Sequence, residues 1–96
     1  MYLHIGKEKI IKTDQIIGIF DLDTATISKA TRNYLAAAEK SGEVVNVTTE
    51  LPKTFIVCRC PARKSGKIIY LSQISSATLL KRAGQLPRFE RQEDNI

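Results

Sequence analysis

The sequence predicts an α+β fold, a small and mostly antiparallel sheet with two helices. Three observations carry that prediction. Short runs rich in Ile, Val, Tyr and Phe recur between turn-forming residues, as strands do. A stretch at residues 27–38 repeats its apolar residues at intervals of three and four, and another at 75–84 is bracketed by a serine and a glycine, as capped helices are. The chain of 96 residues is one domain's worth, a size that buries only about 60% of its unfolded surface.

Tyr2 to Ile5, Lys9 to Lys12 and Ile16 to Asp21 read as strands. Gly6-Lys7 and Thr13-Asp14 separate them, which predicts a meander. In the helix that follows, Ile27, Ala30, Tyr34, Leu35 and Ala38 share one face, Thr24 or Thr26 is available as cap, and Gly42 stands just past the end. Val44 to Thr48 is a further short strand and Leu51-Pro52 a break. Thr54 to Cys60 is dense in β-formers and pairs with Lys67 to Ser72. Pro61 and Ser65-Gly66 mark a loop too long for a two-residue turn. Ser75 caps the second helix, which ends at Gly84 with Lys81 and Arg82 in its last turn, where cations complement the helix dipole.

IIGIFDLDTAT at residues 16–26 raises the possibility of an enzyme. The stretch resembles the opening motif of haloacid dehalogenase-type phosphatases, which implies Asp21 as nucleophile and Asp23 as acid/base beside magnesium. Such a fold needs βαβ units of about 30 residues each, and 96 residues leave no room for them. A magnesium site also wants several oxygen ligands. Between Glu50 and Glu90 there is no Asp or Glu, and Glu93 and Asp94 sit in a polar end segment. No enzyme is expected: a strand ends at Asp21, and Asp23-Thr24 introduces a helix.

Apolar residues make up 43% and charged ones 26%, which suits a soluble globular domain, and no apolar run is long enough to span a bilayer. MYLHIGKEKIIK interrupts its apolar residues with Lys7, Glu8 and Lys9, so it offers no signal-peptide core and a cytoplasmic location is expected. Cys58-Arg59-Cys60 invites a zinc reading. Four ligands are normally required, however, and His4 is the only histidine. On a strand, Cys58 and Cys60 share a side with Ile56 while Phe55, Val57 and Arg59 take the other, so the cysteines are expected in the core as free thiols with no metal and no cofactor.

Net charge is +5, unevenly spread. From Leu51 to Phe89 there are eight basic residues and no acidic one, while the rest of the chain carries −3. That asymmetry suits a polyanion held against one surface, and a solvated face that only aids solubility is the competing reading. The candidates are Lys53, Thr54, Arg63, Lys64 and Lys67, with Arg59, Lys29 and Arg32 behind them. Arg63, Lys64 and Lys67 sit at the predicted hairpin loop, where long side chains reach a phosphate without uncovering a strand. Lys29 and Arg32 are more simply the solvent face of the first helix.

YLHIG at the start, IIGIFDL ahead of the helix, PKTFIV at 52–57 and IIYLSQISSATLLKRA at 68–83 resemble the RemA/RemB extracellular matrix regulatory proteins, and the RemB branch more closely. The resemblance covers residues 1–86, a single domain, and leaves 87–96 as a polar tail expected to be flexible. It implies a domain similar to the LytTR DNA-binding fold and a cytoplasmic DNA-binding regulator of biofilm matrix genes. Its implied partners are double-stranded DNA and further copies of the chain in a ring, with no membrane. RemA-type contact arginines fall at Pro52-Lys53-Thr54, where only Lys53 keeps a charge, and near Asp14. These departures favour a second reading, a ring-forming interaction or scaffold protein without DNA binding of its own.

Overall fold

The computed structural model describes residues 1–22, 28–48 and 50–84. Among the described residues six strands, β1 (Tyr2–Gly6), β2 (Lys9–Lys12), β3 (Ile16–Asp21), β4 (Val44–Asn46), β5 (Thr54–Arg59) and β6 (Lys67–Ser72), combine with two helices, α1 (Lys29–Lys40) and α2 (Ser76–Ala83). This is a small α+β fold. The caps expected at Thr24 and Thr26, the apolar Ile27, Asp23 and the polar tail at 87–96 lie outside the described residues.

Order in the main sheet is β3-β5-β6-β4, with β3 and β6 antiparallel to β5 and β4 parallel to β6. A separate antiparallel hairpin joins β1 to β2. The predicted meander is therefore corrected. After β2 a single 3-10 turn at Thr13–Gln15 takes the chain around a corner, and β3 pairs with β5 instead of with β2. Gly6 sits where β1 crosses the segment after β4, and a side chain added there would meet the Val47 carbonyl at 2.8 Å, so only glycine allows the two backbones to approach.

Alternation along β5 divides the core between two faces. Ile56 and Cys58, with Ile68 and Tyr70 of β6, pack against Leu3, Ile5 and Ile11 of the hairpin and Leu79 of α2. Phe55, Val57 and Ile69 face the other way, against Ala38 and Leu35 of α1. Hairpin and α2 thus cover one face of the sheet and α1 the other, and a strand buried on both faces is rich in β-branched and aromatic residues for that reason. Two buried hydroxyls tie the layers together. Ser72 Oγ donates to the Ile5 carbonyl at 2.6 Å, and Thr54 Oγ1 donates to the Ile74 carbonyl at 2.8 Å.

Helix α1 starts at Ser28, whose side chain accepts from the Thr31 N–H. Its buried stripe is narrower than the periodicity suggests, because Leu35 and Ala38 turn inward while Ala30 and Tyr34 stay exposed. Gly42 follows the helix with φ +74, the left-handed conformation that glycine adopts without a side-chain penalty. Ser75 caps α2 by accepting from the Thr78 N–H, and Gly84 follows its end, both as expected.

Candidate nucleic-acid interface

Residues 54–72 of the acid-free basic segment fold into the β5–β6 hairpin and its loop. Register sets Arg59 directly opposite Lys67 at the loop end of the ladder. Between them the loop is stitched by its own backbone: Cys60 N–H donates to Gly66 O at 2.7 Å, Arg63 N–H to Cys60 O at 2.9 Å and Gly66 N–H to Arg63 O at 2.9 Å. Ser65 Oγ accepts from the Lys67 N–H at 3.3 Å. A loop closed on itself in this way gives Lys64 and Lys67, both exposed, a fixed base.

The two arginines at this end each have a second task. Arg63 is half-buried and its guanidinium donates to the Gly42 carbonyl at 2.9 Å, so it pins the loop to the C-terminal end of α1, where the helix dipole favours a cation. Exposed Arg59 donates to the Asp14 carbonyl at 3.3 Å and so reaches across the start of β3 to the 3-10 turn. Sequence alone suggests a loss of charge at Asp14. The fold returns a guanidinium to that place.

Lys53 stands at the other end of β5. Its N–H donates to Ser72 O and its carbonyl accepts from the Leu22 N–H, both at 2.8 Å, which fixes the backbone while the side chain remains exposed. Six residues of β5 separate it from the loop, about 20 Å at the rise of an extended strand. The strongest candidates therefore form two groups: Arg59, Lys64 and Lys67, with Arg63 partly committed, at one end and Lys53 at the other. Their spacing matches roughly six base pairs along a duplex.

Thr54 is 0% exposed and its hydroxyl is bound inside the fold. It offers nothing to a ligand. Lys29 and Arg32 are both exposed on α1, Arg32 one turn before half-buried Leu35. Arg82, in the last turn of α2, donates to the His4 carbonyl at 3.3 Å, and His4 Nε2 donates to the Lys7 carbonyl at 2.6 Å.

Among the described residues no group of three or more His, Cys, Asp and Glu could hold a metal ion. Cys58 is 2% exposed, and burial, reinforced by neighbouring Cys60 and opposed by Lys9, pushes its thiol up to about 11. What the surface can do chemically is bind anions through exposed cations on a rigid hairpin.

The family model described as "Extracellular matrix regulatory protein A-like" matches residues 2–83. Extracellular matrix regulatory protein B of Bacillus subtilis (strain 168) is 34% identical over 83 residues, which are 86% of this chain and 90% of that protein.

Proposed function

The chain belongs to the RemA-like family of extracellular matrix regulatory proteins and is RemB-like, and from that premise we propose that it binds double-stranded DNA as a homo-oligomer and regulates transcription of matrix genes. The family is one of regulators, not of enzymes. One observation carries the proposal: within the acid-free segment the β5–β6 hairpin places exposed Lys64, Lys67 and Arg59 at one end, and exposed Lys53 precedes its other end. Each cation that meets a phosphate releases a counterion, so affinity rises steeply as salt falls. A monomer offers few such contacts. Copies linked in one assembly multiply them through effective concentration.

A specific feature supports assembly. Among the described residues β3 is an edge strand of the main sheet, with Ile17 54% and Phe20 44% exposed, and exposed strand edges are covered in stable proteins by another chain or element. The same feature favours the second reading, a ring-forming scaffold without DNA binding, as does the lone charge at Lys53. Retention of duplex DNA by the purified chain at low salt, with release as salt rises, separates the two. A scaffold would retain none at any salt.

A further inference from the structure

Cys58 and Cys60 have no part in the basic surface. Residues two apart on a strand point the same way. Cys58 lies inside the core on the hairpin side, whereas half-buried Cys60 is just past the end of β5 and lines a surface groove together with Lys9, Lys12 and Pro61. We propose that these two residues are an oxidisable dithiol, converted reversibly by a hydroperoxide into an intrachain disulfide.

The bridge requires the loop to move. Cα atoms two apart on a strand are about 6.6 Å from each other, within the roughly 4.4–6.8 Å that disulfides span, but side chains pointing the same way leave the Cβ atoms as far apart, about 2 Å more than the roughly 3.5–4.5 Å a disulfide allows. Cys60 can supply the difference. Among the described residues its N–H and carbonyl bond to Gly66 and Arg63 of the same loop, at 2.7 and 2.9 Å, so closing the bridge shifts the loop against the Arg63 contact to the Gly42 carbonyl while Cys58 stays in the β5–β6 ladder.

Access assigns the roles. Cys60, at the groove, meets the oxidant: its sulfur attacks a peroxide oxygen, an S–O bond forms as the O–O bond breaks, and one water leaves. Cys60 is then a sulfenic acid. The Cys58 sulfur next attacks the Cys60 sulfur, the S–S bond forms as the S–OH bond breaks, and the Cys58 proton departs with the hydroxide as a second water. Two thiols have lost two electrons and two protons, and one hydrogen peroxide has become two waters. Cys58 borders the same groove but is only 2% exposed, so half-buried Cys60 meets the oxidant first and Cys58 is the resolving partner.

Intact-mass analysis of the full chain treated with hydrogen peroxide tests the proposal. The wild type should lose about 2 Da per chain, recover it with dithiothreitol, and give a peptide map linking residues 58 and 60. Cys58→Ala, a small apolar replacement, should instead accumulate sulfenic acid at Cys60, trapped by dimedone, and folded Cys60→Ser should leave Cys58 unreacted. The proposal fails if the wild type gains oxygen without losing 2 Da, if only interchain disulfides form, or if neither thiol reacts while the protein stays folded. The wild-type measurement stands without the variants.

Discussion

Replacing Ser72 by alanine should destabilise the fold far more than the loss of one hydroxyl suggests. Ser72 is 0% exposed, and its Oγ holds two backbone groups at once, donating to the Ile5 carbonyl at 2.6 Å and accepting from the Ile74 N–H at 3.0 Å. Ile5 is itself fully buried, so its carbonyl loses this partner with no route to water. Leaving a buried group unsatisfied costs about 1–3 kcal/mol. The Ile74 N–H is half-buried and recovers part of its loss from solvent, which puts the sum at about 2–4 kcal/mol. Against a typical total of about 5–15 kcal/mol this is severe. For a domain of this size it corresponds to a fall in Tm of roughly 10–25 °C. Urea unfolding followed by far-ultraviolet circular dichroism, at fixed protomer concentration, reads the change directly, with Ser65→Ala in the exposed loop as a control expected to stay within about 0.5 kcal/mol. A Ser72→Ala loss below about 1 kcal/mol would refute the reasoning, since water would then have replaced the hydroxyl.

Two further outcomes are expected. Light scattering at micromolar concentration should give the mass of a closed homo-oligomer larger than a dimer, and Ile17→Lys on the β3 edge should lower that mass; a wild-type monomer that persists as concentration rises would contradict it. The Cys58 thiol is raised from 9.0 to about 11 by burial. Because the folded value is the higher one, its contribution to stability is complete below about pH 9 and is lost as pH rises toward 11. Cys58→Ala should flatten that alkaline decline, and an unchanged pH profile would count against burial as its cause.

Much of the fold was legible because it is local. Ser75 and Gly84 bracket the second helix and Gly42 follows the first, whose cap, Ser28, the sequence did not single out; strict alternation along residues 54–60 assigns Cys58 and Arg59 to opposite faces, as the structure shows. Long-range pairing was not legible. Nothing in Thr13-Asp14 says that the next strand will pair with β5, about forty residues on, rather than turn back on β2. The candidate surface divides in the same way. Exposure of Lys64 and Lys67 follows from the hairpin, whose register the alternation already implies. Thr54 was misread as a contact because its partner, the Ile74 carbonyl, lies 20 residues away, and the attachment of Arg63 to Gly42 spans 21. A signal existed only in retrospect: a threonine opening an otherwise apolar buried strand needs an internal acceptor.

The salt dependence of DNA binding decides whether the hairpin lysines meet phosphates. Each phosphate contact contributes about 0.9 to the slope of log affinity against log salt. Lys53→Ala, Lys64→Ala and Lys67→Ala together should therefore lower the magnitude of that slope by up to about 2.7 for each protomer engaged on the duplex. Arg63 is left unchanged because its guanidinium also holds the end of α1. Lys29→Ala with Arg32→Ala, both exposed on α1, is the matched control and should leave the slope near that of the wild type. Oligomer mass and unfolding midpoint should be the same in all three proteins, since the positions are exposed. The wild type should show a steep slope, the hairpin variant a much shallower one and the helix variant little change; DNA binding through the hairpin requires all three. It is contradicted if the hairpin variant keeps the wild-type slope and affinity, if both variants lose equally, or if the intact wild-type assembly binds no duplex at low salt.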